Sequence, residues 1–194
     1  YSFFYKYCKE KKDETLRKEK AVKSCDHMYL TLYFLFTTVT ASGLLNQSSF
    51  LPWYMIFPGF PHAENSGQHN MYKNYPLIPY GEEIRQLFLV TLGYHTLEHS
   101  KSSSEKIKET TFGNDAASCV DTGALHRILH DKRVEIGILV VYCHDIADLY
   151  CHFAKSISDT TIEFPKLFGG VSMWSSWLFA RCICYPLVVY YGIF

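Results

Sequence analysis

A long stretch without charged side chains is the feature that most constrains this chain. No Asp, Glu, Lys or Arg occurs between residues 28 and 61, and residues 28–45 (MYLTLYFLFTTVTASGLL) are all apolar, small or hydroxylated. A helix that crosses a bilayer needs about 17 to 25 predominantly apolar residues. The run therefore predicts a first membrane-spanning helix. A very apolar core helix in a soluble helical domain would give the same pattern.

Other apolar stretches follow. Residues 167–194 carry Arg181 as their single charge and are long enough to form a final span. Two further stretches are weaker: residues 86–97, and residues 136–143 running on through HDIADLYCHFA (residues 144–154). Alone, each is too short to span a membrane and suits a core helix equally well. Together these stretches predict an all-α fold, a multi-span integral membrane helical bundle. The chain begins at Tyr1 and stops inside an apolar run, so we expect it to be incomplete at both ends.

The charges are balanced overall but unevenly distributed. The 194 residues include 19 basic and 19 acidic side chains, and this neutrality argues against a nucleic-acid partner, because phosphate binding needs a basic excess. Just before the first apolar run, the segment from Lys6 to Lys23 contains eight basic and four acidic residues. The positive-inside rule predicts that residues 1–22 form a basic cytoplasmic segment. The same cluster could be a solvated helix surface, because Glu10, Asp13 and Glu14 are interspersed in it. Residues 100–122 are polar and predict an exposed linker.

Ionisable groups inside apolar sequence are the best candidates for chemistry. His144 and Asp148 are four residues apart and share one face of a helix, and Asp145 is about 100° around it. A carboxylate beside an imidazole stabilises the charged imidazole that a general base or nucleophile needs. His126 adds a second imidazole, so these four residues could carry out acyl transfer. The alternative is that they are polar residues that solvate or cap a soluble helix.

A metal site is a further alternative. His126 and His130 form an HxxxH pattern, followed by His144 and His152, and membrane di-iron hydroxylases use several histidine boxes. The HxxHH box of that class is absent from the sequence. The seven cysteines include no CxxC pair, which predicts reduced thiols rather than structural zinc or disulfides.

Several motifs of the sequence resemble those of a known family. The string VEIGILVVYCHDIADLYCHFAK (residues 134–155) is similar to the signature of the TLC domain in its ceramide synthase branch, where it carries the HDxxD of His144, Asp145 and Asp148. Three more stretches resemble that branch in the same order. These are Leu51-Pro52-Trp53, residues 73–99, and Arg181 with Tyr185-Pro186. The resemblance makes residues 23–194 a partial TLC domain.

The resemblance implies a multi-pass protein of the endoplasmic reticulum membrane. Such a protein N-acylates a sphingoid base with a fatty acyl-CoA co-substrate to form (dihydro)ceramide. No bound cofactor or metal is implied, and the expected partners are these substrates, membrane lipid, and a second copy or a related subunit in a dimer. The catalytic residues carried over are His126, His144, Asp145 and Asp148. Either direct attack or an acyl-histidine intermediate is compatible with them.

Two departures from the family pattern favour a second reading. The family has two adjacent histidines where this chain has His126 followed by Arg127, and the stretch from there to His144 is shorter by about two helical turns. That stretch is too short for a complete span and a loop. The alternative function is therefore a non-catalytic TLC protein that binds or senses lipid. The second alternative is the membrane di-iron hydroxylase.

Overall fold

The computed structural model describes residues 1–55, 82–106 and 134–193. Within these ranges the regular structure is helical and contains no β-strand. The helices, numbered in chain order, are α1 (Ser2–Tyr7), α2 (Glu14–Asn46), α3 (Glu82–Lys106), α4 (Val134–Ser158), α5 (Glu163–Trp177) and α6 (Tyr185–Ile193), with a 3-10 turn at Trp53–Met55 and a π-helical segment at Leu178–Cys184. The predicted all-α class is confirmed for the described residues.

Helix α2 contains the first predicted span but begins well before it. Asp13 caps the helix, because its Oδ1 accepts hydrogen bonds from the backbone N–H groups of Thr15 (2.9 Å) and Leu16 (3.3 Å). The residues after the cap are mostly Glu, Lys, Arg and Leu, which favour helix whether or not they are apolar. The helix therefore runs through the basic segment and into the apolar run.

Two helices are long and apolar enough to cross a membrane, namely Glu14–Asn46 and Ile136–Ser158. Length and composition alone give the two helices this property, and the core helix of a soluble protein shares it. The second of these extends the short stretch 136–143 well beyond its apolar part. Helix α3 continues to Lys106, so the first part of the predicted linker is helical; residues 107–122 lie outside the described ranges.

The predicted final span is a helical stretch with a widened section. Helices α5 and α6 are joined by the π-helical segment, in which the Tyr185 N–H donates to the carbonyl of Ala180, five residues earlier. Pro186 follows at once. In a regular α-helix its ring would clash with the carbonyl of Cys182 and leave that carbonyl without its donor. A widened turn immediately before the proline relieves this conflict.

The chain divides into two compact units. The first comprises Tyr1–Thr40 and Tyr142–Leu187, and the second comprises Ala41–Val141 and Val188–Phe194. In the described part of the second unit, the fully buried side chains are mostly apolar: Leu45, Leu51, Phe88, Ile138, Leu139 and Val188. The candidate site residues on α4 belong to the first unit.

In the first unit, the end of α4 and the start of α5 form a helical hairpin. The turn is held by Thr160, whose N–H and hydroxyl both donate to the carbonyl of Ile157 (3.1 and 2.8 Å). Gly169 of α5 lies directly against α4. A Cβ atom there would be 2.9 Å from Cδ1 of Ile157 and 3.3 Å from Cα of Ala154. This glycine therefore permits the close approach of the two helices.

The N-terminal segment is attached to the hairpin turn by backbone hydrogen bonds. The Lys9 N–H donates to the carbonyl of Asp159 (2.8 Å), and the Thr161 N–H donates to the carbonyl of Tyr7 (2.7 Å). Arg17 adds a hydrogen bond from its Nε to the carbonyl of Tyr5 (3.0 Å). The basic end of α2 and the turn between α4 and α5 are therefore at the same end of this unit.

Candidate functional site

The three predicted site residues of α4 lie in the first unit and differ in burial. Asp145 is 2% exposed, whereas the side chain of Asp148 is 30% exposed and His144 is half-buried. Their spacing on a regular helix places His144 and Asp148 one turn apart on the same face. The predicted shared helical face of His144 and Asp148 is therefore present in the structure. His126 and His130 lie outside the described residues.

Arg181 and Tyr185 lie opposite the row formed by His144 and Asp148 on α4. Nη2 of Arg181 is 3.2 Å from Oδ1 of Asp148, and the ring of His144 meets the ring of Tyr185 edge to face, with 5.6 Å between centroids and 69° between planes. Arg181 and Tyr185 are also four residues apart. Two i, i+4 pairs on antiparallel helical segments therefore form two successive contacts, an ion pair and an aromatic pair.

The ion pair brings one positive and one negative side chain of the site together. The Arg181 guanidinium remains protonated at any ordinary pH, so it balances the Asp148 carboxylate by a charge-assisted hydrogen bond. Its Nε atom is buried without a hydrogen-bond partner among the described residues. From the sequence alone, Arg181 could bind a carboxylate or a phosphate, or direct its charge towards the end of the helix. In the structure it binds the carboxylate of Asp148.

Tyr185 was not predicted as part of the site. In the sequence it belongs only to the motif that it shares with Arg181 and Pro186, whereas the structure places its ring against His144. A signal was available, because the spacing of Arg181 and Tyr185 equals that of His144 and Asp148. The widened helix at Leu178–Cys184 contains Arg181, and such segments occur frequently at functional sites.

A second pair of histidines lies between α2 and α4. Nδ1 of His27 is 3.1 Å from Nδ1 of His152, and the ring of His152 stacks on Phe34 with 5.4 Å between centroids. Such a hydrogen bond requires one Nδ1 to carry a proton and the other to accept it. Sequence reasoning considered His152 only as a metal ligand and did not consider His27 at all.

The described residues contain no group of three or more His, Cys, Asp or Glu side chains that could hold a metal ion. Six of the seven cysteines lie in the described ranges, and each is a free thiol there: Cys8, Cys25, Cys143, Cys151, Cys182 and Cys184. Cys8, Cys143 and Cys184 are buried. They fill space in the packed interior as small apolar side chains.

The chain matches no protein-family model, no curated protein and no solved structure. The resemblance to the TLC domain therefore rests on the motifs quoted above. The structure itself shows an all-α arrangement of the described residues and two helices with the length and composition of membrane spans.

Proposed function

We propose that this protein is a multi-span N-acyltransferase of the endoplasmic reticulum membrane that acts as a ceramide synthase. It would transfer the acyl group of a fatty acyl-CoA to the amine of a sphingoid base. The observation that carries the proposal is the position of His144 on a helix apolar enough to cross a membrane, next in sequence to the buried Asp145 and one turn before the ion-paired Asp148. Imidazole and carboxylate together are suited to proton transfer in such a setting.

The exposed surfaces of this unit support a membrane location. Phe36 on α2 and Phe164 on α5 are 71% and 79% exposed, and both belong to longer rows of exposed apolar side chains. Large exposed apolar surfaces of this kind mark contact with lipid or with another protein. At a rise of about 1.5 Å per residue, Asp148 lies about 15 Å from the end of α4 at Ser158. With the hairpin turn at the membrane surface, the site would lie near the middle of the hydrocarbon layer, which is about 30 Å thick.

The residues can be given roles in a balanced reaction. The amine nitrogen attacks the thioester carbonyl, a C–N bond forms, and the C–S bond breaks. His144 accepts the proton that the amine loses and returns it to the departing thiolate, while Asp145 stabilises the imidazolium formed in between. In the second mechanism that the residues allow, the His144 imidazole attacks the thioester carbonyl, the C–S bond breaks, and the thiolate leaves with the imidazole proton. The amine then attacks the acyl-imidazole, the C–N bond to the amine forms as the bond to the imidazole breaks, and the proton that the amine loses restores the imidazole. His126 would supply the second imidazole in either mechanism.

The test uses the purified full chain, a fatty acyl-CoA and sphinganine, with the ceramide product measured by mass spectrometry. We expect His144→Ala to reduce product formation by about 100-fold or more, the usual effect of losing a general base. Asp145→Asn keeps the shape of the side chain and removes its charge, so it should also reduce the rate. His95→Ala on α3 is the control and should retain activity. Full activity of His144→Ala in protein that still inserts into membranes would reject the assignment.

The ion pair favours a second candidate, a lipid-binding TLC protein without catalysis. Because Arg181 already balances Asp148, the pair can act as a structural connection between two helices instead of as part of a proton-transfer system. This candidate predicts that the unaltered chain forms no ceramide under the same assay conditions but binds a sphingoid base or ceramide. Product formation by the unaltered chain would exclude it.

A further inference from the structure

Two histidines on different helices bring their ring nitrogens together where α2 contacts α4. Nδ1 of His27 and Nδ1 of His152 are 3.1 Å apart, with 5.3 Å between the ring centroids and 39° between the ring planes. The ring of His152 also stacks on the buried Phe34, so packing restricts its orientation. Both histidines belong to the first unit and neither is fully buried. The structure therefore holds two imidazole nitrogens side by side within reach of solutes.

The distance between these nitrogens fits two ligands of one metal ion. A neutral imidazole binds Zn²⁺ through Nδ1 or Nε2, and the ligands of a zinc ion are arranged tetrahedrally. With Zn–N bonds of about 2.0 to 2.1 Å, two such nitrogens are about 3.3 Å apart. The 3.1 Å between the two Nδ1 atoms therefore has to widen only slightly. A hydrogen bond requires the two rings to hold their protons on different nitrogens, whereas zinc would bind both rings in the same form, with the proton on Nε2.

The charges around the pair are compatible with a cation. The charged side chains that act on His27 are Asp26 and Lys155, which are opposite in sign and both exposed. A long lysine side chain can also turn its ammonium group into water. Two imidazoles suit ions such as Zn²⁺, whereas Mg²⁺ and Ca²⁺ prefer oxygen ligands. The described residues place no third His, Cys, Asp or Glu side chain at this position, so water would complete the coordination.

We propose that His27 and His152 bind one Zn²⁺ ion through their Nδ1 atoms and that this ion joins α2 to α4. Neither histidine belongs to the candidate site of His144, Asp145 and Asp148, so the proposal does not rest on acyl transfer. An ion that binds only the folded chain stabilises it by mass action. Zinc should therefore strengthen the contact between the two helices.

The test is a titration of the purified full chain in detergent with Zn²⁺, after a chelator has removed any metal. Isothermal titration calorimetry gives the number of Zn²⁺ equivalents and their affinities, and thermal unfolding is recorded with and without Zn²⁺. We expect at least one tight equivalent and a higher Tm in the presence of Zn²⁺. Excess Mg²⁺ should not displace the bound zinc, because the two ligands are nitrogens.

Replacing either histidine should remove that equivalent. His27→Gln and His152→Gln each keep a side chain that forms hydrogen bonds but remove the imidazole ligand. Loss of a group that only supports a ligand costs about 10- to 100-fold in metal affinity, so loss of a ligand should weaken this equivalent by about 100-fold or more. The matched control is His95→Gln on α3, which should leave the titration and the zinc-dependent rise in Tm unchanged. Circular dichroism confirms that all three variants remain helical.

Three outcomes would overturn the proposal. An unaltered chain whose Tm does not respond to Zn²⁺ would show that the pair is only a hydrogen bond between α2 and α4. Equal zinc uptake by the unaltered chain and by both variants would place the bound ions at other side chains. Loss of the equivalent in one variant but not in the other would show that the two rings do not share an ion. Ceramide formation is measured separately, so this proposal and the proposed function can fail independently.

Discussion

Two ion pairs of the first unit, one at the surface and one partly buried, differ in a way that the distance between their charged atoms does not reveal. The pair of Lys18 and Glu14 is shorter, with 2.8 Å between Nζ and Oε1, but its side chains are 55% and 70% exposed. The pair of Arg181 and Asp148 is longer, at 3.2 Å, with side chains only 31% and 30% exposed. Water screens the first pair and leaves it little net effect, while the second is less screened and its partners are harder to solvate separately. Burial, more than distance, should decide which pair the fold depends on.

The largest effect should come from breaking the less exposed pair on one side. Arg181→Leu leaves the Asp148 carboxylate partly buried without its cation, and we expect a loss of about 2 kcal/mol in the free energy of unfolding. The double variant Arg181→Leu with Asp148→Leu removes both charges and should recover most of that loss. Chemical denaturation in detergent measures both. Losses that simply add would show that the pair is not coupled.

A smaller effect is expected where the hairpin helices touch. Gly169→Ala places a Cβ atom 2.9 Å from Ile157 Cδ1 and 3.3 Å from the Ala154 backbone. The side chain of Ile157 can move, but the backbone of α4 must also shift, and overpacking of this kind costs about 1 to 3 kcal/mol. The helix preference of Ala over Gly offsets about 1 kcal/mol of this cost, so we expect a net loss of about 1 kcal/mol. Gly170→Ala is the matched control, because no atom lies within 4 Å of its added Cβ atom. That variant should be neutral or more stable, since Ala favours helix over Gly by about 1 kcal/mol. Equal losses in the two variants would contradict the close approach at Gly169.

At the exposed end, the cap of α2 should matter in a pH-dependent way. Hydrogen bonds from the Thr15 hydroxyl and from the backbone N–H groups of Leu16 and Thr15 lower the pKa of Asp13 below its ordinary value of 3.8. Because the pKa is lower in the folded state, the stabilisation is complete above 3.8 and is lost as the pH falls through the folded-state value. Asp13→Asn keeps a capping side chain but does not titrate. Its Tm should therefore fall less than that of the unaltered chain over this acidic range, and parallel curves would argue against the cap.

The smallest effect should come from the shortest ion pair. Glu14→Gln removes the carboxylate that pairs with Lys18, and we expect little change in Tm at moderate salt because both side chains are largely exposed. Lys18→Gln should behave in the same way. A loss comparable to that of Arg181→Leu would reverse the comparison between the two pairs.

Hydropathy predicted the helices better than it predicted their ends. The apolar run of residues 28–45 is helical as predicted, but α2 starts at Glu14 because charged residues are good helix formers and Asp13 supplies a cap. The apolar stretch 136–143 looked too short for a span because His144, Asp145 and Asp148 interrupt the apolar pattern. In the structure the helix continues through them to Ser158. Averaging over apolar residues cannot detect that a partner on another helix accommodates these polar groups.

At the candidate site too, the sequence pattern predicted positions along one helix but not the partners on other helices. The spacing of His144 and Asp148 on one helical face could be read directly from the sequence, since the geometry of an α-helix is fixed by its backbone. The partners Arg181 and Tyr185 are distant in sequence, and the pair of His27 and His152 joins two helices separated by most of the chain. Such contacts depend on the register between helices, which no local pattern specifies. His126 remains a prediction from the resemblance.

By itself, the sequence determined the all-α class, the apolar runs and the row of His144 and Asp148, because these depend on local backbone periodicity and on the transfer of side chains out of water. Only the tertiary structure decided that Arg181 pairs with Asp148, that Tyr185 contacts His144 and that His27 meets His152. These contacts require helices to meet at a particular register, and that register is selected by close packing, as at Gly169 against Ala154 and Ile157.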